Sequence, residues 1–510
     1  MGEDVTTLAI DALSNYDVAL DGIGMMLATQ DEADGLLRSS YGMVAPDLHI
    51  ERTDIGAELT DNKLDSLYTS SNRSWHEGAG QKRLDVVQVS SDFKFFESKG
   101  IDIADKGEIK LHKATSLIVA NAHSTTRPRL AVASDVLYMV AGQPNLTRVT
   151  TLTGTNTTVS TGTETSQNVA DLASDGTDLY IALGADGIHK ITAASGAGVH
   201  YSGVLATVLA WSKAALWAAG PSGGRDHLYS VAAGVVGNSS DVYAFPVNQS
   251  VVQITELGPM LYIAVTAATN SQSYVYAYDG TNAPFVALPL PPGEIITSMT
   301  PFLGAGLLIG AKRYIDATNS QSVLYVAFPG ATGHLVLLER ELLIRGSGTD
   351  SKDYGIVAGV GTGNKVFFAW PHDDVSGVGV YLPETAAYAR NLFGATSGVI
   401  GAIARWRNKT LFVITGDGLY AEGDGYVPSA TTCFVTSSVI DANVDADKLW
   451  LRQETGCEPL PAGTSVQHQY STDGVTWVAN GTLSTTGATI LSSSVRVKSP
   501  RIQYRVVLIP

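Results

Sequence analysis

Cationic residues are scarce in this 510-residue chain, where 33 Lys and Arg stand against 49 Asp and Glu for a formal net charge of −16. A domain that binds nucleic acid usually presents a basic face or a dense Lys/Arg run to the phosphates. Neither is present, so binding to nucleic acid or to an anionic membrane surface is not expected. Long hydrophobic runs are missing too. Gly, Ser or a charged residue interrupts every apolar stretch before it reaches bilayer length, so no membrane insertion is expected. The start, Met1-Gly2-Glu3-Asp4, is acidic and leads into no apolar signal core, which argues against export by the general secretory route. Triplets such as Asn145-Leu146-Thr147 are therefore read without a glycosylation role. Cysteine is nearly absent. Cys433 and Cys457 would pair only if their strands were neighbours, and two small buried apolar side chains are the expected reading.

What is present points to β structure. Hydrophobic residues make up 45% of the chain and charged residues 16%, a balance that excludes a disordered polymer. Gly is abundant, with Ala, Val and Thr frequent throughout, as expected of many short strands joined by Gly-containing turns. One pattern recurs: a short apolar strand, a polar turn, then a second strand. Its anchors begin at Leu137, Leu179, Leu216, Leu261, Leu307, Val366 and Leu411, so successive spacings are 42, 37, 45, 46, 59 and 45 residues. Propeller blades repeat at roughly 40–50 residues. The long spacing contains Arg345-Gly346-Ser347-Gly348-Thr349-Asp350, which reads as an inserted loop.

Each anchor strand is apolar at consecutive positions, as in Leu179-Tyr180-Ile181-Ala182, which indicates burial on both faces. Inner strands of propeller blades meet that condition because each blade packs between two others. Breaks such as Asp175-Gly176-Thr177-Asp178 and Asp279-Gly280-Thr281-Asn282 suit tight turns and exclude long helices. A two-sheet sandwich is the competing architecture, but it rarely needs seven near-equal units. The expected fold is therefore all-β, a propeller of about seven blades over 113–430. Ring closure needs a strand from one end of the domain to complete a blade begun at the other, and Ser116-Leu117-Ile118-Val119-Ala120 is the candidate. Residues 1–112 read as an extended docking arm. Residues 431–510 show period-two alternation, as at Lys448–Leu451 and Val466–Tyr470, and read as a small C-terminal β-sandwich.

Motifs that imitate chemistry fail on context. Gly359-Val360-Gly361-Thr362-Gly363-Asn364-Lys365 lacks the Ser/Thr and the helix of a phosphate loop. Gly220-Pro221-Ser222-Gly223-Gly224 matches a hydrolase elbow by letter, yet a strand follows where the elbow needs a helix. Asp441–Asp447 begins like a calcium loop, but Ala446 and Arg452 stand where Gly and Glu belong. His372-Asp373-Asp374 reads as a solvated loop, and no His spacing suits a metal. Catalytic, cofactor and metal residues are thus expected to be absent, and the chain is not expected to be an enzyme. Aromatics such as Tyr354, Trp370 and Tyr388 could stack on sugars, with core packing the plainer reading.

Three short segments carry a family resemblance. Ser74-Trp75-His76-Glu77-Gly78-Ala79-Gly80-Gln81 is followed by Phe95-Phe96-Glu97-Ser98-Lys99-Gly100-Ile101-Asp102, and Tyr470-Ser471-Thr472-Asp473-Gly474-Val475-Thr476-Trp477 forms an expected hairpin near the C-terminus. Together with the order of arm, repeats and terminal β-domain, they resemble minor tail proteins of long-tailed bacteriophages, those infecting actinobacteria above all. The resemblance implies a structural virion component at the tail tip or baseplate. It also implies contacts with the tail tube or hub, several copies around the tail axis with three favoured, and a possible host surface receptor. The alternative is a glycan-binding or glycan-hydrolysing, sialidase-like propeller. Ser471–Trp477 approaches an Asp-box turn but is one residue short before the Gly and occurs once, outside the repeats.

Overall fold

The computed structural model describes residues 18–20, 23–25, 75–80, 94–104, 108–120 and, from 128 to 510, all but 141–144, 154–155, 161–168, 193–197, 232–238, 268–271, 315–318, 348–356, 363–364, 371–376, 395–398, 427–432 and 442–446. No helix occurs among the described residues. The apolar anchors become the second strands of seven four-stranded antiparallel units. Their continuous hydrophobicity follows from burial on both sides. Leu179 and Ile181 pack with Tyr138, Val140 and Leu146 of the preceding blade, while Tyr180 and Ala182 pack with Leu209, Leu216 and Ala218 of the next. Alternate side chains of one strand thus feed two different cores. Each large apolar side chain buried in this way stabilises the fold by about 1.5–3 kcal/mol.

Blades 1 to 7 occupy residues 129–160, 171–202, 208–244, 249–289, 294–347, 357–394 and 400–426. Their first strands lie side by side around the ring, and the first strand of blade 7, Ile400–Trp406, returns to Arg129–Ala133 of blade 1. Blade 7 supplies only three strands from its own segment. The fourth is Lys113–Ala120, antiparallel to Gly418–Tyr426 with Ala120 opposite Gly418 and Val119 opposite Leu419. The strand expected to close the ring does so. Ile118 and Val119 enter the core between blades 7 and 1 with Leu137, Met139 and Val413.

Several first hairpins turn on two residues with positive φ, the geometry that matches strand twist. Ser134-Asp135 (φ 46° and 59°), Lys213-Ala214 (51° and 56°) and Arg407-Asn408 (48° and 62°) are examples. Of the inserted loop expected at Arg345–Asp350, only the first three residues are among those described, and Gly348, Thr349 and Asp350 lie outside them. Arg345, Gly346 and Ser347 lie inside the last strand, Leu335–Ser347, which pairs along the whole of Asn319–Pro329. The extra residues lengthen two strands, because extended backbone with a paired neighbour satisfies its amides.

Ahead of the ring, residues 75–80, 94–104 and 108–112 of the expected docking arm pack on this chain. Glu97–Lys99 runs parallel to the outer strand of blade 6, Lys99 opposite Asn391, and antiparallel to Cys433–Thr436. Blade 6 therefore continues through this short strand into the C-terminal domain as one nine-stranded sheet. Phe95, Ile101 and Ile103 are buried in the same core as Phe368, Tyr388 and Val435. Gly100, at φ 67°, is required there, since a Cβ would lie 2.4 Å from the Cys433 sulfur. A hairpin of Ile101–Asp102 with Lys110–Leu111 then leads into the closing strand. Further upstream, Val18–Leu20 pairs with Ile23–Met25.

The C-terminal domain packs the sheet Cys433–Thr436, Gln503–Ile509, Ser465–Ser471, Val478–Leu483 against the pair Lys448–Gly456 and Ile490–Ser499. Trp450, Val495, Ile440 and Ile502 fill one part of its interior, and Leu460, Val466 and Leu491 another. This is the expected small sandwich. A bulge between Trp450 and Arg452 shifts the alternation, so Leu451 and Arg452 both face outward on either side of the inward Trp450 and Gln453.

Candidate functional site

Among the described residues, the motifs that imitate chemistry lie in turns or at strand ends. Lys365 opens the second strand of blade 6 and ion-pairs with Asp102 at 2.7 Å. Gly223 and Gly224 form a two-residue hairpin turn at φ 59° and 83°, which leaves Ser222 exposed on a strand end. Asp441 is buried ahead of the strand Lys448–Gly456. His372, Asp373, Asp374 and Tyr354 lie outside the described residues. Trp370 and Tyr388 are buried in the blade 6 core and cannot stack on a ligand. Cys433 and Cys457 form no disulfide, and burial pushes Cys433 up to about 11. No group of three or more metal-ligating side chains occurs among the described residues.

Polar and charged side chains serve as latches between blades. Arg407 grips Asp135 with Nε at 3.0 Å and Nη2 at 2.7 Å, and the Trp406 indole donates to the same carboxylate at 3.0 Å. Asp171 accepts from Arg129 Nε of blade 1 at 3.0 Å and from the Leu209 amide of blade 3 at 2.9 Å, so it ties three blades together. Asp226 accepts from the Val251 amide at 2.7 Å, and its burial raises its pKa. Gln253 both accepts from the Met299 amide and donates to the Met299 carbonyl, at 2.8 Å each. The sequence reading missed all four. Their partners are far along the chain, and no local pattern marks them.

The most elaborate arrangement is the seam between blade 6 and the sandwich. Arg505 donates to Glu97 at 3.1 Å and to the Thr436 hydroxyl at 2.9 Å, while its guanidinium lies 4.0 Å from the Phe434 ring and 3.7 Å from that of Trp477. Stacking of this kind suits a weakly hydrated, planar cation and adds to the ion pair. Trp477 is delivered by the expected hairpin, in which the Asp473 carboxylate accepts from the Val475 and Thr476 amides, each at 2.7 Å. Those bonds hold Asp473 far below the usual carboxylate range. Beyond the seam the sandwich exposes Leu449, Leu451, Ile490 and Val475.

Inside the sandwich, His468 bonds across both sheets, through Nδ1 to Ser493 at 2.9 Å and through Nε2 to Thr455 at 2.8 Å. Burial lowers its pKa to about 4. The unfolded chain takes up this proton near pH 6.5 and the folded chain only near 4, so stability falls as pH drops through that window. It levels off below it, where both states are protonated. His112, beside the seam, is lowered to about 4 by the same cause. Thermal melts from pH 7 to pH 4 should show a steeper loss for the native chain than for His468→Asn, and parallel profiles would exclude His468 as the titrating group.

No family model matches this sequence, and no curated protein matches it. Among solved structures the chain is similar to the computationally designed Ika8 protein, at 14% identity and a TM-score of 0.38, covering 61% of this chain and 99% of that one. It is also similar to the β-propeller domain of Myceliophteria thermophila Cps50 (Swd1), at 12% identity and a TM-score of 0.39, covering 61% and 96%. Strand pairing and ring closure define the architecture: the chain is an all-β protein, a seven-bladed β-propeller carrying a C-terminal β-sandwich.

Proposed function

We propose that this chain is a non-catalytic structural component of a bacteriophage tail tip or baseplate. One observation carries the reading. The segments that resemble tail proteins are far apart in sequence yet meet at the seam. Gly78 approaches the Tyr388 backbone so closely that a Cβ would lie 2.5 Å from its amide nitrogen. Trp75 packs edge-on against Phe95, Glu97 pairs with Arg505, and Arg505 stacks on Trp477. Residues that share such a seam set the angle between propeller and sandwich, and a fixed angle is what a component of a symmetric assembly needs. In this reading the tail tube or hub is the partner, three copies surround the tail axis, and the outward face meets the host surface.

Immunogold labelling tests the assignment. Antibodies raised against residues 431–510 should mark one end of the tail on purified particles, and mass spectrometry of those particles should find the chain. A chain missing from washed particles, or label spread over heads, would end the proposal.

A further inference from the structure

The interface between blades 1 and 2 holds nitrogen donors that no described protein group answers. His189 lies on the third strand of blade 2 opposite Ile181 and is 3% exposed. Ile181 and Ile191 belong to the core shared with blade 1, so the alternation of side chains turns His189 toward blade 1 as well. On the facing blade, Arg148 lies opposite Tyr138 and two residues after Leu146, both members of that same core. Arg148 therefore projects toward blade 2. Its Nε and both ring nitrogens of His189 are buried without a hydrogen-bond partner. His200, on the outer strand of blade 2, lies opposite His189 with ring centroids 5.5 Å apart, and is exposed.

The described acids of this region do not answer the two side chains. Asp171 is taken by Arg129 and the Leu209 amide. Asp178 is held by Lys190 at 2.6 Å. Asp186, in the turn before His189, has an Oδ2 that is itself without a partner. Leaving a buried donor unanswered is costly, and native proteins almost never do so. Water would serve a neutral imidazole. The half-buried Arg148, whose Nε alone is shielded from water without a partner, carries full charge as well, and an acceptor that brings negative charge makes the shorter, stronger bonds.

We propose that the interface between blades 1 and 2 binds a small oxyanion of the phosphate or sulfate class. Arg148 Nε and His189 donate to it, and the exposed His200 flanks it. This inference is independent of the tail assignment.

Calorimetric titration of the full chain with inorganic phosphate, at constant ionic strength, tests it. One saturable site per chain is expected. Arg148→Met and His189→Phe should each weaken binding by about tenfold or more, the loss of a charge-assisted hydrogen bond. His189→Gln keeps a donor and should fall between native and His189→Phe, which guards against a packing defect in the Phe variant. Arg452→Met removes an exposed guanidinium paired with Glu454 and should change nothing. The chain's net charge of −16 works against diffuse anion binding, which keeps that control clean. No saturable phosphate binding by the native chain, or equal weakening by Arg452→Met and Arg148→Met, would overturn the proposal.

Discussion

A chain beginning at residue 121 should lose cooperative folding of the propeller, whereas one beginning at Lys113 should keep the ring and release the sandwich from it. The first truncation removes Lys113–Ala120, the outer strand of blade 7. That strand places Ile118 and Val119 in the core between blades 7 and 1, so its loss exposes apolar surface at the one point where the ring is closed by a distant segment. It also leaves Gly418–Tyr426 with an unpaired edge, a template for aggregation. The second truncation spares the closing strand but removes Glu97–Lys99 from between blade 6 and Cys433–Thr436. Calorimetry distinguishes the two. The full chain should melt with propeller and sandwich together, and the chain from Lys113 should show two separated transitions. The chain from residue 121 should lack the propeller transition. If it melted like the full chain, closure by Lys113–Ala120 would not hold the ring.

Phe95→Ala should destabilise the protein by about 3–5 kcal/mol, the usual cost of emptying a buried aromatic site. Phe95 is fully buried between blade 6 and the seam, with the Trp75 ring centroid 6.3 Å from its own. The cavity has little means of collapse, because one wall is the packed sheet of blade 6, with Phe368 and Tyr388. A loss of that size is a large part of the roughly 5–15 kcal/mol that stabilises a typical domain. Val475→Ala, at a residue 82% exposed on the hairpin tip, should stay within about 0.5 kcal/mol. Urea unfolding of both variants gives the comparison. A Phe95→Ala midpoint equal to that of Val475→Ala would mean that the segment around Phe95 adds nothing to the folded state.

Ring and sandwich were legible in the chain itself for a local reason. A strand covered on both faces must be apolar at consecutive positions, so Leu179–Ala182, Leu261–Ala264 and Leu411–Ile414 announce blade interiors without reference to anything distant. Turn chemistry is equally local, and Asp473-Gly474 signals its hairpin through residues that bond to each other's backbone. The closing strand could be found because Ser116–Ala120 is apolar and has no partner nearby in sequence. None of this identifies what joins the two domains. Glu97-Ser98-Lys99 is short and polar and reads as part of an extended arm, and only the fold sets Asn391 and Phe434 on either side of it. Main-chain hydrogen bonding makes that junction, and main-chain bonds leave no mark on side-chain identity. The same holds for Arg505 with Glu97, 408 residues apart, and for Trp406 with Asp135, 271 apart. A polar pair works only where folding has brought two blades within about 3 Å and excluded water, and no pattern along a strand encodes that distance.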